Sequence, residues 1–183
     1  MIRWLAIAAC MMATPATAQM VSTPYQVAED GVAAPTGDQD MSFVANYVRI
    51  APNIGIGGRL ADDGVARAKA AGFKTLIDLR QPDEPGVAEE KAAAEALGLR
   101  YVSIPMPRDA EDIPDILPKL IKRLETAGDY PILLHCASGN RAGAAWALYR
   151  AERGVPAIIA IEEGRAAGMK SREGVVRELL DLE

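Results

Sequence analysis

The chain has 183 residues, half of them hydrophobic, and a formal charge of −5, which excludes a disordered or collagen-like chain and suits one globular domain. An acidic balance of this kind argues against a nucleic-acid-binding face. Two cysteines and one histidine are too few for a disulfide-stapled scaffold or for a structural zinc site built on Cys and His alone; no metal and no cofactor are expected.

Met1-Ile2-Arg3 is a short basic start, and Trp4 to Ala13 is an apolar run too short to span a bilayer, which takes roughly 20 residues. Thr14-Pro15 breaks the run, and Ala16-Thr17-Ala18 supplies the small-x-small pattern of a cleavage site. Residues 1–18 therefore read as a secretory signal peptide, with a periplasmic or secreted product. A rival lipoprotein box ends at Cys10, with only a very short apolar stretch between it and Arg3. Removing residues 1–18 takes Cys10 away and leaves Cys136 as the one cysteine. A lone thiol in an oxidising compartment is a liability unless buried or used.

Residues 19–42, rich in Pro, Gly, Ala and Asp and without periodicity, read as a flexible leader, and residues 43–183 as the folded domain. Strand signals over Tyr47–Ile50 and Asn53–Ile56 are followed by Gly57-Gly58. The Gly55-x-Gly57-Gly58 pattern is a weak phosphate-cradle signal and is read as a turn. Asp62 is the expected cap of a helix reaching about Ala71. Thr75–Leu79 is a strand, Gln81–Gly86 a proline-bearing loop, Val87–Leu97 an Ala/Glu-rich helix and Leu99–Ile104 a strand. Asp115 is the expected cap of a helix with Pro118 in its first turn and an apolar stripe of Leu117, Leu120, Ile121 and Leu124. Ile132-Leu133-Leu134 is continuous and apolar, the mark of a strand buried on both faces. A helix is expected from about Ala142 to Arg153, and two more after it. This alternation predicts an α/β fold, a mostly parallel central sheet flanked by helices.

In such sheets ligands bind beyond the carboxyl ends of the strands, and the strand Ile132–Leu134 runs directly into His135-Cys136. Between this buried strand and the next helix, Ala137-Ser138-Gly139-Asn140-Arg141 forms a short loop. Its backbone N–H groups and the helix N-terminus behind them make an anion-binding concavity. Cys136 at its base is the expected nucleophile, its thiolate favoured by those N–H groups and by Arg141. The guanidinium of Arg141 offers a planar fork for an oxyanion. His135, pointing to the other face of the strand, is expected to hydrogen-bond the loop backbone and shape it.

The pattern His135-Cys136-x-x-Gly139-x-Arg141 resembles the cysteine-dependent protein tyrosine and dual-specificity phosphatases. With Asp78-Leu79-Arg80 after a strand, Tyr101–Pro105 before a polar loop, and the runs Cys136–Gly143 and Trp146–Tyr149, the chain looks closest to the phosphatase-like domain of the beta-lactamase-hydrolase-like family. That family carries both phosphatase and sulfurtransferase labels. The resemblance implies a phosphatase-like fold over roughly Val48–Leu182, Cys136 as nucleophile and Arg141 as oxyanion ligand. It also implies a general acid from the loop after Ile104, for which Asp109 is the first candidate and Asp112 the second.

Two departures from the phosphatase pattern set the expected chemistry. Only Ala137, Ser138, Gly139 and Asn140 separate the Cys from the Arg, one residue fewer than in phosphatases, a spacing similar to the rhodanese loop. Ala142 stands where phosphatases carry a Ser or Thr, a hydroxyl for which Ser138 is the available substitute. The expectation is therefore a cysteine-dependent sulfurtransferase, passing sulfane sulfur from a thiosulfate-like donor through a Cys136 persulfide. Hydrolysis of a phosphomonoester through a phosphocysteine is the alternative, and a non-catalytic oxyanion-binding module the third reading. Each takes a small anionic substrate. The sequence points to no membrane span and names no protein partner.

Overall fold

The computed structural model describes residues 23–26 and 32–182; the expected signal peptide and the rival Cys10 box lie outside the described residues. A five-stranded sheet forms the centre, built from β1 (Val48–Ala51), β2 (Ile54–Gly57), β3 (Thr75–Asp78), β4 (Arg100–Ser103) and β5 (Ile132–His135). Its order is β1-β2-β5-β3-β4. β1 runs antiparallel to β2, and every other neighbouring pair is parallel. The last strand in sequence is thus the middle strand in space. All four of its residues are buried, which explains why Ile132-Leu133-Leu134 is apolar without alternation.

Helices α1 (Gly64–Ala70) and α2 (Val87–Leu97) cover one face, over a core that includes Phe43, Val65, Phe73, Leu76 and Leu133. Helices α3 (Leu117–Leu124), α4 (Asn140–Glu152), α5 (Ala157–Ala166) and α6 (Glu173–Leu179) lie over the other, where Ile132, Leu134, Ile77, Trp146 and Tyr149 form the larger core. Successive residues of β5 feed the two cores in turn, as the strand pleat requires. Full burial of each such large apolar side chain is worth roughly 1.5–3 kcal/mol.

Several local expectations are corrected. The first helix starts at Gly64, its preceding Asp63 makes no side-chain capping bond, and Asp62 stands outside it. Asp115 does not cap α3 either, because Ile116 occupies that position, with Pro118 in the first turn as expected. The helix after the Cys loop begins at Asn140, two residues before the expected Ala142, because the chain turns into helix directly at Gly139.

The expected leader also carries packed pieces. Thr23 donates from its backbone N and from Oγ1 to Glu125 Oε2 at 3.3 and 2.7 Å. Pro24 accepts from Asn53 N at 3.2 Å. The Tyr25 ring lies against Trp146, with the Arg150 guanidinium over it. Ala34 and Met41 are buried in the core beside Phe43. A stretch without periodicity can still dock, because single side chains such as Tyr25 fill pockets that a periodicity argument does not see.

Candidate active site

Cys136 follows β5 immediately and ends at the carboxyl edge of the sheet. It is 1% exposed. Its backbone N donates to Gly57 O at 3.3 Å, fixing the loop's start against β2. Arg59 N donates to Ala137 O at 3.1 Å, and Asn46 Nδ2 to Ser138 O at 3.2 Å. Gly57 is the last residue of β2 and Gly58 forms an antiparallel bridge with Ser138, so this pair is the back wall of the Cys loop and not the expected turn; the chain stays extended here because it pairs with the end of β5 and with the loop itself. A side chain at Gly58 would meet Ser138 Cα at 3.0 Å and Ala137 O at 3.1 Å, so only glycine lets the two segments approach this closely.

At Gly139 the chain adopts φ +91°, a left-handed conformation that glycine takes without steric cost. This turns the Gly139 N–H back onto Cys136 Sγ at 3.2 Å. The N-terminus of α4 begins at the next residue, with first-turn N–H groups that have no acceptor within the helix. The sulfur thus faces a backbone donor and the positive end of a helix of 13 residues.

Arg141 is held from behind. Its Nη2 donates to Glu84 Oε2 at 2.7 Å, its Nη1 contacts Glu84 Oε1, and Nη1 also donates to Leu79 O at 3.3 Å. Glu84 is itself placed by Gln81, whose backbone N donates to Glu84 Oε1 at 2.7 Å. The hydrogen bond from Arg141 holds the Glu84 carboxyl below its ordinary pKa, against a smaller opposing effect of burial. That bond to Glu84, together with the neighbouring Cys136 and the Glu84 charge, outweighs burial and raises the pKa of Arg141. The guanidinium is therefore fixed in place and charged next to the sulfur.

The Asn140 side chain is engaged by the segment before α6. Its Oδ1 accepts from Lys170 N at 2.7 Å and Arg172 N at 3.2 Å, and its Nδ2 donates to Ser171 Oγ at 2.8 Å. A loop residue expected to bind oxyanion thus pins the segment before α6 over the site. That segment carries Arg172, whose Nη1 donates to Arg108 O at 2.9 Å. Ser138, Asn140, Arg141, Arg108, Arg172, Gln81, Asp83, Glu84 and Met106 line one cavity of about 590 Å³. Arg108, Arg172 and Glu84 were not singled out from the sequence. Arg108 adjoins the candidate acid and was accessible to inspection of that loop. Arg172 is brought in by the chain returning after α5, which no local motif signals.

Asp109, the candidate general acid, is exposed, adjoins the cavity-lining Arg108, and precedes the 3-10 turn Ala110–Asp112. Its charge acts on Arg172, so it stands on the same side as the site. Asp112 is exposed within that turn, and neither it nor Asp109 is among the residues lining the cavity.

His135 does not bond the loop backbone as expected. It is fully buried, and its Nε2 lies 3.1 Å from Glu90 Oε1. The contact is within ion-pair range but outside hydrogen-bond geometry, and neither imidazole nitrogen has a hydrogen-bond partner. The physical reason is the register: His135 sits opposite Asp78 in the parallel pair β3–β5 and so shares its face of the sheet. There Arg80 donates from Nε and Nη2 to the Asp78 carboxylate at 2.8–3.0 Å and pairs with Glu90 Oε2 at 2.9 Å, while Tyr101 Oη donates to Asp78 Oδ2 at 2.6 Å.

The ligand atoms of Asp78, Glu90 and His135 lie within 4.8 Å of one another. Both carboxylates are already engaged by Arg80, so a cation placed there would face a guanidinium, and the donor set does not fit a metal. The cluster is a buried ion-pair network supporting the strand end that carries Cys136. Burial raises the Asp78 pKa, but Arg80, His135 and Tyr101 outweigh it and hold the carboxyl below its ordinary range. Its stabilisation is thus complete above the unfolded-state pKa of aspartate and is lost as pH falls through the lower folded-state value. Asp78→Asn leaves Arg80 without its main partner and is expected to cost about 3–5 kcal/mol. Urea unfolding at pH 7 checks this; a loss within experimental error would show that the network does not support the fold.

Residues 40–153 match the family model described as "Beta-lactamase hydrolase-like protein, phosphatase-like domain". The chain belongs to this family. Beta-lactamase hydrolase-like proteins of Agrobacterium fabrum and Xylella fastidiosa are 34% identical over 99 residues and 30% identical over 105 residues, covering 52% and 55% of this chain. The chain spans only 22% and 24% of those relatives, so it corresponds to one part of them.

Among solved structures, the catalytic core of the PP-IP phosphatase Siw14 of S. cerevisiae matches with a TM-score of 0.61 at 16% identity, over 76% of this chain and 87% of that one. A candidate phosphatase from Neisseria meningitidis matches with a TM-score of 0.62 at 24% identity, over 78% and 99%. The chain shares its α/β fold, with a mostly parallel sheet, with these phosphatase structures, as the sequence pattern implied.

Proposed function

We propose that the chain hydrolyses phosphate monoesters through a phosphocysteine on Cys136. The observation that carries this reading is the cavity. It is far larger than a single sulfur atom needs, is lined by Arg108, Arg141 and Arg172, and has Asp109 next to its wall. Sulfur transfer needs neither a wide cationic cavity nor an acid.

In the first step the Cys136 thiolate attacks phosphorus, the ester P–O bond breaks, and Asp109 gives its proton to the leaving oxygen. Arg141 and the N–H groups of the loop receive the charge of the equatorial oxygens. In the second step water attacks phosphorus, its proton passes to the Asp109 carboxylate, and the P–S bond breaks to release phosphate. Ala142 offers no hydroxyl to the departing thiolate; the Gly139 N–H at 3.2 Å from Sγ takes that part.

Asp109→Asn should lower kcat on an alkyl phosphate by ~10²–10⁴-fold. The loss should be smaller for p-nitrophenyl phosphate, whose leaving group needs little protonation. Equal losses on the two substrates would remove Asp109 from the acid role, and Asp112→Asn would be tested the same way.

One observation favours the sulfur-transfer reading: four residues between Cys136 and Arg141 close a tight ring on the sulfur. There the thiolate would attack the outer sulfur of thiosulfate, the S–S bond would break with release of sulfite, and cyanide or a thiol would take the sulfur. Assaying one preparation with both thiosulfate/cyanide and p-nitrophenyl phosphate separates the two chemistries.

A further inference from the structure

Three guanidinium groups converge on one cavity of a chain whose overall formal charge is −5. Like charges repel, so such a cluster costs stability unless partners neutralise it. Arg141 has its partner in Glu84. Arg108 and Arg172 have no ion pair with a carboxylate among the described residues, and Arg172 is tied only to a backbone carbonyl, that of Arg108. The remaining carboxylate of the wall, Asp83, is exposed and forms no ion pair among the described residues; Asp109 acts on Arg172 only through its charge. Arg172 is half-buried, and burial first, then the charges of Arg141 and Arg108, holds its pKa below the ordinary arginine value. An anion in the cavity relieves that repulsion.

The placement of Arg172 is specified by the catalytic loop. Asn140, the residue immediately before Arg141, accepts two backbone N–H groups and donates to Ser171, clamping Lys170, Ser171 and Arg172 over the cavity. The loop that binds the reacting phosphate therefore also fixes a second cation beside it. A monoester with a neutral remainder leaves this second cation unused.

We propose that Arg172, with Arg108, forms a second anion subsite, and that the substrate is a phosphate ester bearing a further phosphate or carboxylate next to the scissile phosphoryl group. This rests on the phosphatase reading for the chemistry, but the binding preference can be measured without turnover. Arg172 is then the specificity-determining residue: Arg141 serves any phosphate, and Arg172 selects those with a second charge. The fixed clamp of Asn140 supplies preorganisation, so little ordering is needed when the substrate arrives.

The test compares phenyl phosphate with benzene-1,4-diyl bisphosphate on the full chain. Wild type should prefer the bisphosphate by about tenfold or more in kcat/KM, the scale of one charge-assisted contact, mostly through KM and decreasing with added salt. Arg172→Gln keeps a donor for the Arg108 carbonyl but removes the charge, and should bring the ratio to within about twofold of one. Arg172→Lys should retain part of the preference. A wild type without preference, or an Arg172→Gln variant that keeps it, would overturn the proposal. If neither ester is hydrolysed, the phosphatase reading fails, and calorimetry on Cys136→Ser protein still decides the subsite. Tighter bisphosphate binding that disappears with Arg172→Gln supports it, and equal binding of the two esters sinks it.

Discussion

Cys136→Ser should lower kcat/KM on p-nitrophenyl phosphate by roughly 10⁴–10⁶-fold, the range seen when a covalent nucleophile is removed. Cys136 is 1% exposed at the end of the central strand, with the Gly139 N–H on its sulfur and the start of α4 and Arg141 beside it. All these donors stabilise negative charge on sulfur. A serine hydroxyl in the same place stays neutral at pH 7, so these donors do little for it. Substrate affinity should persist, because Arg141 and the loop N–H groups remain. Activity that survives Cys136→Ser, with water attacking directly, would show that the loop binds phosphate without supplying the nucleophile.

Arg141→Ala should cost about 10³–10⁵-fold in kcat, the scale on which an arginine supports phosphoryl transfer. Two effects act in the same direction. The fork that would meet the equatorial oxygens is lost, and Glu84 is left facing the site without its partner. Because Arg141 is what chiefly holds the Glu84 pKa down, the variant should also show a raised Glu84 pKa. In wild type the Glu84–Arg141 contribution is complete above the unfolded-state glutamate pKa and is lost only as pH falls through the lower folded-state value. In Arg141→Ala that acid limb should shrink, with the Gln81 N–H still on the Glu84 carboxylate. Adding Glu84→Gln to Arg141→Ala should recover part of the rate by removing the stranded carboxylate. A double variant slower than Arg141→Ala would show that Glu84 has a role beyond holding the arginine.

The architecture was legible because its signals are local. Ile132-Leu133-Leu134 announces a fully buried strand, His135-Cys136 places the thiol at its carboxyl end, and Gly139 and Arg141 follow at loop spacing. Nothing local reports the parts that arrive from elsewhere in the chain. Glu84 comes from a proline-bearing loop after β3, Arg108 from the loop after β4, and Arg172 from the segment before α6. His135 shows the same limit. Alternation along the strand correctly turned it away from Cys136, but its neighbour on that face, Glu90, lies on α2, and pairing across elements is not a property of a short window. The expected preference for sulfur transfer arose for a related reason. The number of residues between Cys136 and Arg141 can be counted in the sequence, whereas the three-arginine cavity that Ser138, Asn140 and Arg141 help to line exists only in the fold.

The most direct test is an intact-mass measurement of wild-type protein acid-quenched during turnover of an aryl phosphate, alongside the same protein incubated with thiosulfate, with the adduct located by peptide mapping. A gain of one phosphoryl group (HPO₃) on Cys136 is expected in the first sample, absent in Cys136→Ser. A gain of one sulfur atom on Cys136 in the second sample, with no phosphoryl adduct and no phosphate release in the first, would contradict the phosphatase reading.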